Sequence, residues 1–145
     1  VTDLPARSVT LSLPFPYREL HPNDRPHFHK KAAAVRTYRM EAKVEAKRVM
    51  GTTYRPGEYP LRTPVQAQVT FTVTDERQRD EDGLMASLKP MWDGFVDARL
   101  LLEDHNKVLH IGAPLIVHGD KAGVVVVLTE PGMALHLETV AEWAL

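Results

Sequence analysis

Apolar and polar positions alternate at the start of the chain. Ser8-Val-Thr-Leu-Ser-Leu13 has a period of two and predicts a half-buried strand. Pro14-Phe15-Pro16 ends it, because proline cannot continue a ladder. A patternless loop rich in Pro, His and charge follows, from Tyr17 to His29. From Lys30 to Met50 the period lengthens to that of a helix, with Val35, Tyr38, Ala42, Ala46 and Val49 along one stripe and Gly51 placed to terminate it. Thr52 to Thr63 carries Pro56-Gly57 and Pro60 and reads as a turn-rich connector. Val65 to Val73 alternates strictly and is the clearest strand.

Beyond Asp82 the apolar residues Leu84, Leu88, Met91, Trp92, Phe95 and Val96 spell a second helix, with Pro90 inside it. Proline is comfortable only in a first turn, so this helix either starts near Ser87 or starts at Asp82 and bends. His105 to His118 is β-like, and Gly119-Asp-Lys-Ala-Gly123 predicts a hairpin turn. Val124 to Thr129 is continuously apolar and β-branched up to Leu128, the mark of an interior strand. Residues 134–144 can add a short C-terminal helix. The expected order is strand, helix, strand, helix, strand, strand, in one α+β domain with a mixed sheet spanning residues 1–145.

Composition adds constraints. The chain has 145 residues and no cysteine, which leaves no disulfide framework and no Cys-based zinc site. No run of 18 apolar residues and no signal-peptide pattern is present, so a cytoplasmic protein away from membranes is expected. The net charge of −1 conceals a division: residues 1–63 hold 12 Lys and Arg against 6 Asp and Glu, whereas residues 64–145 hold 6 against 13. A basic surface for a polyanion joined to an acidic cluster for cations would explain it. Arg36, Arg39, Lys43 and Lys47 recur at helical spacing and form the candidate DNA-facing ridge. His21, His27 and His29 lack a fourth ligand for a structural zinc site and read as surface side chains, available to phosphate.

The candidate chemistry lies between Arg77 and Asp104. Asp80 and Asp82 stand two residues apart, a spacing that puts both on one face of an extended segment. Carboxylates with no Cys and few His suit a hard divalent ion, Mg²⁺ with Mn²⁺ able to substitute. Such an ion can activate water and stabilise the leaving oxygen in phosphodiester hydrolysis. Arg77 and Arg79 can grip phosphate, and Lys89 can supply a point charge.

These residues resemble the RusA family of Holliday junction resolvases, found in phages and bacterial prophages. The family's R-x-D-x-D-N, K-x-x-x-D-[AG]-[LF] and D-D motifs correspond to Arg79-Asp80-Glu-Asp82-Gly83, Lys89-Pro-Met-Trp-Asp93-Gly94-Phe95 and Glu103-Asp104. Leu13-Pro14-Phe15-Pro16 with Asn23 is similar to the family's opening. The resemblance covers roughly residues 8–130 and implies a homodimeric Mg²⁺-dependent endonuclease that resolves four-way DNA junctions by paired nicks. It implies Asp80, Asp82 and Asp104 as metal-binding carboxylates, Lys89 as the catalytic lysine and Arg79 as a DNA contact. Two departures stand out: Gly83 replaces the usual Asn, and the spacing from Asp82 to Lys89 is longer. A non-catalytic junction-binding dimer on the same scaffold is the alternative that Gly83 motivates.

Asp104 poses a question of reach. A helix over 83–98 would be about 24 Å long, whereas residues 99–103 span at most about 17 Å. Asp104 then reaches the acidic pair across a dimer interface or past a bent helix. A start near Ser87 shortens the helix to roughly 18 Å and makes the return just feasible.

Overall fold

The computed structural model describes residues 7–51 and 58–132. Its elements in chain order are β1 (Ser8–Leu13), a 3₁₀ turn (Arg18–Leu20), α1 (Phe28–Gly51), β2 (Val65–Val73), α2 (Glu81–Ala86), α3 (Lys89–Asp97), β3 (Leu109–Ile111), β4 (Leu115–His118) and β5 (Gly123–Thr129). This is the expected α+β class with one mixed sheet. The helix expected over 134–144 and the first half of the connector at 52–63 lie outside the described residues. None of the described helices is long and apolar enough to cross a membrane.

The alternation in β2 works as its pattern predicts: Val65, Ala67, Val69, Phe71 and Val73 are buried, while Gln66 and Gln68 face outward. β5 lies between β1 and β2 and is antiparallel to both, which fits its interior character. On the other edge of β2, β3 pairs parallel with Val65–Ala67, and β4 pairs parallel with Thr70–Val73. The single β-like run expected from His105 to His118 is thus two short strands. Pro114 has no N–H to give the ladder, and Gly112 and Ala113 are instead held by Ala67 O at 3.1 Å and Gln68 Nε2 at 3.2 Å.

The expected hairpin at Gly119–Gly123 is corrected. β4 and β5 follow one another in sequence but flank β2 on opposite sides, so the connection crosses the end of β2. The crossing is tight: Gly119 N–H donates to Val73 O at 3.0 Å, and a Cβ on Gly119 would stand 2.8 Å from Thr72 Cγ2. Turn residues signal a reversal of direction; they do not say whether another strand lies between the two arms.

Helices α1 and α3 share one core with the inward side of the sheet, through Tyr38, Ala42, Ala46, Met91 and Phe95. The opposite side of the sheet carries Thr10, Val125, Val127, Gln68, Thr70, Thr72, Leu115 and Val117. No Asp, Glu, Lys or Arg stands among the outward positions of its strands. Leu115 and Val117 are 54% and 42% exposed there, an apolar patch on an uncharged surface.

Gly94 sets the distance between the two helices. A Cβ at this position would lie 2.4 Å from the backbone oxygen of Arg39 and 2.7 Å from Ala42 Cβ. Alanine in an ordinary helix interior gains about 1 kcal/mol over glycine; here the obstacle is backbone and cannot swing aside. Gly94→Ala should therefore destabilise the fold by about 2 kcal/mol, measurable as a lowered urea midpoint with unchanged slope.

At the far end of β5, Glu130 is 2% exposed and accepts from Arg7 Nε and Nη2 at 2.8 and 3.0 Å and from the Arg62 N–H at 2.6 Å. Burial alone would raise its pKa, but the Arg7 hydrogen bonds and the Arg62 N–H together hold it below the ordinary value. A depressed carboxylate pKa contributes stability above the unfolded-state value, and this is lost as pH falls through the folded-state value. Glu130→Gln should cost about 3 kcal/mol near neutrality and flatten the acid limb of the stability–pH curve in denaturant titrations.

Candidate functional site

The chain leaves β2 through a loop organised by Asp75. Its Oδ1 accepts from Arg79 Nη1 at 2.7 Å and from the Arg77 N–H at 3.0 Å, and Arg79 also donates to Arg77 O at 2.6 Å. Arg79 holds the Asp75 carboxyl below its usual range. With only 13% of its side chain exposed, Arg79 is first of all a brace of the loop. Arg77 is exposed.

Asp80 stands at the start of α2 with extended backbone angles (φ −86°, ψ 103°), while Asp82 lies inside the first helical turn. The helix begins between them, so the one-face geometry of an extended pair does not apply. Both are exposed. Glu81 and Asp82 occupy a first turn, where negative charge is favoured. Asp80 Oδ2 lies 3.9 Å from Nε2 of His21, which the loop after β1 delivers.

The role of Pro90 is resolved by a break. Ser87 Oγ donates to Gly83 O at 2.7 Å as α2 ends, and a new helix starts at Lys89 with the proline in its first turn. α3 has only 9 residues, about 14 Å of helix. It stops at Arg99, whose φ of 66° is left-handed, with Leu100 N–H donating back to Phe95 O at 3.0 Å. A helix this short, ended by so sharp a turn, lets Asp104 return within its own chain.

Asp104 returns to Lys89. Lys89 Nζ lies 2.5 Å from Asp104 Oδ2 and 3.1 Å from Asp93 Oδ1. Its pKa is raised by the hydrogen bond to Asp104 and then by that to Asp93, so it is a fixed cation at neutral pH and no base. Asp93 also faces Arg39 at 3.9 Å, and Arg39 grips Asp97 through Nε at 2.6 Å and Nη2 at 2.9 Å. Carboxylate and cation alternate from Asp104 through Lys89, Asp93 and Arg39 to Asp97. Of the two carboxylates that complete this chain, Asp93 has a signal in the sequence, its i, i+4 spacing from Lys89, whereas the partner of Asp97 lies far away in sequence.

Of the sequence candidates, the structure brings Lys89 and Asp104 together. It does not gather Asp80, Asp82 and Asp104 into one cage. Among the described residues no group of three or more His, Asp or Glu side chains is set to hold a metal ion. The cationic ridge is also altered: Arg39 is committed to Asp97, and Lys43 lies close enough to Asp97 to help lower its pKa. Arg36 and Lys47 remain exposed. His27 and His29 are exposed, and their rings pack around Phe28 at the start of α1.

A cleft of about 480 Å³ opens beside Asp80, lined by Phe15, Tyr17, Arg18, His21, Arg77 and Arg79. Tyr17 donates to Glu41, which pushes the phenol up to about 12 and keeps it protonated at neutral pH. Three arginines, a neutral phenol and an aromatic ring suit an anion attached to a flat, partly apolar group.

Fold and site together define a small α+β domain with a mixed sheet and an arginine-lined acidic edge. No family model matches the sequence. An uncharacterized protein of Xylella fastidiosa (strain Temecula1 / ATCC 700964) is 32% identical over 128 residues, which cover 86% of this chain and 76% of that protein. The chain belongs to the same family as that protein.

Proposed function

We propose that this chain is a structure-selective DNA endonuclease that cuts four-way junctions by paired phosphodiester hydrolysis, acting as a homodimer in the bacterial cytoplasm. The observation that carries the reading is the meeting of Lys89 and Asp104 at 2.5 Å, 15 residues apart in sequence and both drawn from the RusA-like motif. Their contact puts a permanent cation between the carboxylates of Asp93 and Asp104. Lys89 can neutralise charge developing on a phosphate or a departing oxygen. Arg77, Arg79, Arg36 and Lys47 can hold the flanking backbone.

The donor set fits Mg²⁺ in chemistry: Asp80 and Asp82 offer exposed hard oxygens, and Mg²⁺ is ordinarily held by one or two carboxylates plus substrate phosphate. Asp104 is engaged by Lys89 and not gathered with them, so the ion would rest on Asp80 and Asp82 with water and substrate phosphate. When bound, the ion would supply an activated water and polarise the phosphate. The uncharged outer side of the sheet, with Leu115 and Val117 exposed, supports a two-fold contact between copies, and symmetric cuts need two equivalent sites.

A synthetic four-way junction incubated with Mg²⁺ should yield paired symmetric nicks, abolished by EDTA and reduced roughly 100-fold, about 2.7 kcal/mol of barrier, by Asp80→Asn. Tight, salt-sensitive binding without cleavage would favour the non-catalytic binding dimer. Absence of binding at moderate salt would sink both readings. Sedimentation velocity tests the dimer: Val127→Lys should convert it to a monomer, and an unperturbed dimer would move the contact to another face.

A further inference from the structure

Helix α1 is longer than the core it packs on. Its first buried residue is Tyr38, so none of residues 28–37 is buried. Those ten residues amount to about 15 Å of helix. Ala34 and Val35 are half-buried where this arm meets the core. Lys30, Lys31, Ala32, Ala33 and Ala34 are strong helix formers, so the arm keeps its shape with little burial. At its tip the His27 carbonyl accepts from the Lys30 and Lys31 N–H groups at 2.9 and 3.1 Å, and His27 Nδ1 accepts from the His29 N–H at 3.3 Å. Residues 25–40 hold five Lys and Arg and no Asp or Glu. Arg39 is spent on Asp97, but Arg25, Lys30, Lys31 and Arg36 are exposed and make no ion pair among the described residues. Phe28, at the tip, is 68% exposed, more than any other large apolar side chain among the described residues.

The rings at the tip leave one side of Phe28 open. The imidazole centroids of His27 and His29 lie 4.8 and 3.9 Å from that of Phe28, yet only 5.0 Å from each other. A sandwiched Phe28 would hold them apart by nearly the sum of its distances to them, so both imidazoles stand to one side. We infer that the outer part of α1 is a nucleic-acid arm: Phe28 offers its open face to an unpaired base, and Arg25, Lys30, Lys31 and Arg36 hold the phosphates around it. The cations call for a polyanion, and the open aromatic face calls for one whose own flat groups are uncovered. A perfect duplex hides its base faces in the stack, whereas a single strand or the centre of a branched molecule does not. The His27 Nδ1 that accepts leaves the neutral ring its proton on Nε2, a further donor for phosphate. The inference extends the DNA reading above to a second surface, and it requires neither a metal ion nor cleavage.

Fluorescence anisotropy of the full chain with a labelled single-stranded oligonucleotide, in EDTA, tests the arm. Phe28→Ala should weaken binding about 10-fold while leaving the thermal midpoint and the salt slope unchanged, and Phe28→Trp should restore the affinity. The double change Lys30→Gln with Lys31→Gln should instead flatten the slope of log affinity against log salt by about 1.4. Binding to a perfect duplex of the same sequence should not respond to Phe28→Ala. Unchanged single-strand binding in Phe28→Ala, or an equal loss on the duplex, would overturn the stacking role. A wild-type chain that binds no single strand, or a Phe28→Ala variant that changes the oligomeric state, would overturn the arm, the second outcome giving Phe28 to a contact between copies. The two readings fail separately: Phe28-dependent binding in a chain that cuts no junction leaves the arm standing and sinks the endonuclease, and junction cleavage indifferent to Phe28 does the reverse.

Discussion

Two helices can approach until a side chain of one meets the backbone of the other, unless a glycine removes the side chain. Gly94 does this for α3 against Arg39 of α1. With the helices this close, the Arg39 guanidinium can close on Asp97 with two hydrogen bonds while still facing Asp93. Asp93 in turn shares Lys89 with Asp104. The placement of the charged residues therefore follows from an apolar packing decision. The charge pairs themselves are partly exposed and each is worth little in isolation, about 1 kcal/mol at most. Their value lies in holding orientation.

The density of carboxylates between Asp80 and Asp104 demands cations, and the fold answers in two ways. Toward Asp104, Asp93 and Asp97 it supplies its own, Lys89 and Arg39. At the other end Asp80 has a partly buried imidazole nearby, and Asp82 faces solvent. An acidic stretch that looks uniform in one dimension is thus divided into a neutralised half and an open half. The break between α2 and α3, imposed at Ser87 and Leu88 ahead of Pro90, is where the division falls.

Much of this was legible in the residues. Strict alternation in Val65–Val73 and the stripe through Tyr38, Ala42 and Ala46 dictated the central strand and the long helix, because burial on one face leaves a periodic trace. Pro90 announced a discontinuity, though not which side of it would remain helical; both sides do. What could not be read was anything that depends on a partner distant in sequence. The i, i+2 argument for Asp80 and Asp82 assumed extended backbone through both, and a helix start between them cancels it. Arg39 looked like a free cation because Asp97 lies far along the chain. His21 read as one more surface histidine because its neighbour Gly83 lies far along the chain.

The position of β2 between β4 and β5 bears on how such a chain reaches its native state. Among the described residues β1 pairs only with β5, and Ser8 meets Thr129 across 121 residues. Closing a loop of that length costs roughly 4 kcal/mol of chain entropy beyond a constant. During synthesis β1 must wait for β5, and β2 cannot be enclosed until the connection at Gly119–Gly123 has passed over its end. Folding rate should accordingly be governed by this late closure, as in other topologies dominated by distant contacts. The same late step seats Glu130 between Arg7 and Arg62, so the buried charge latches β1 onto β5.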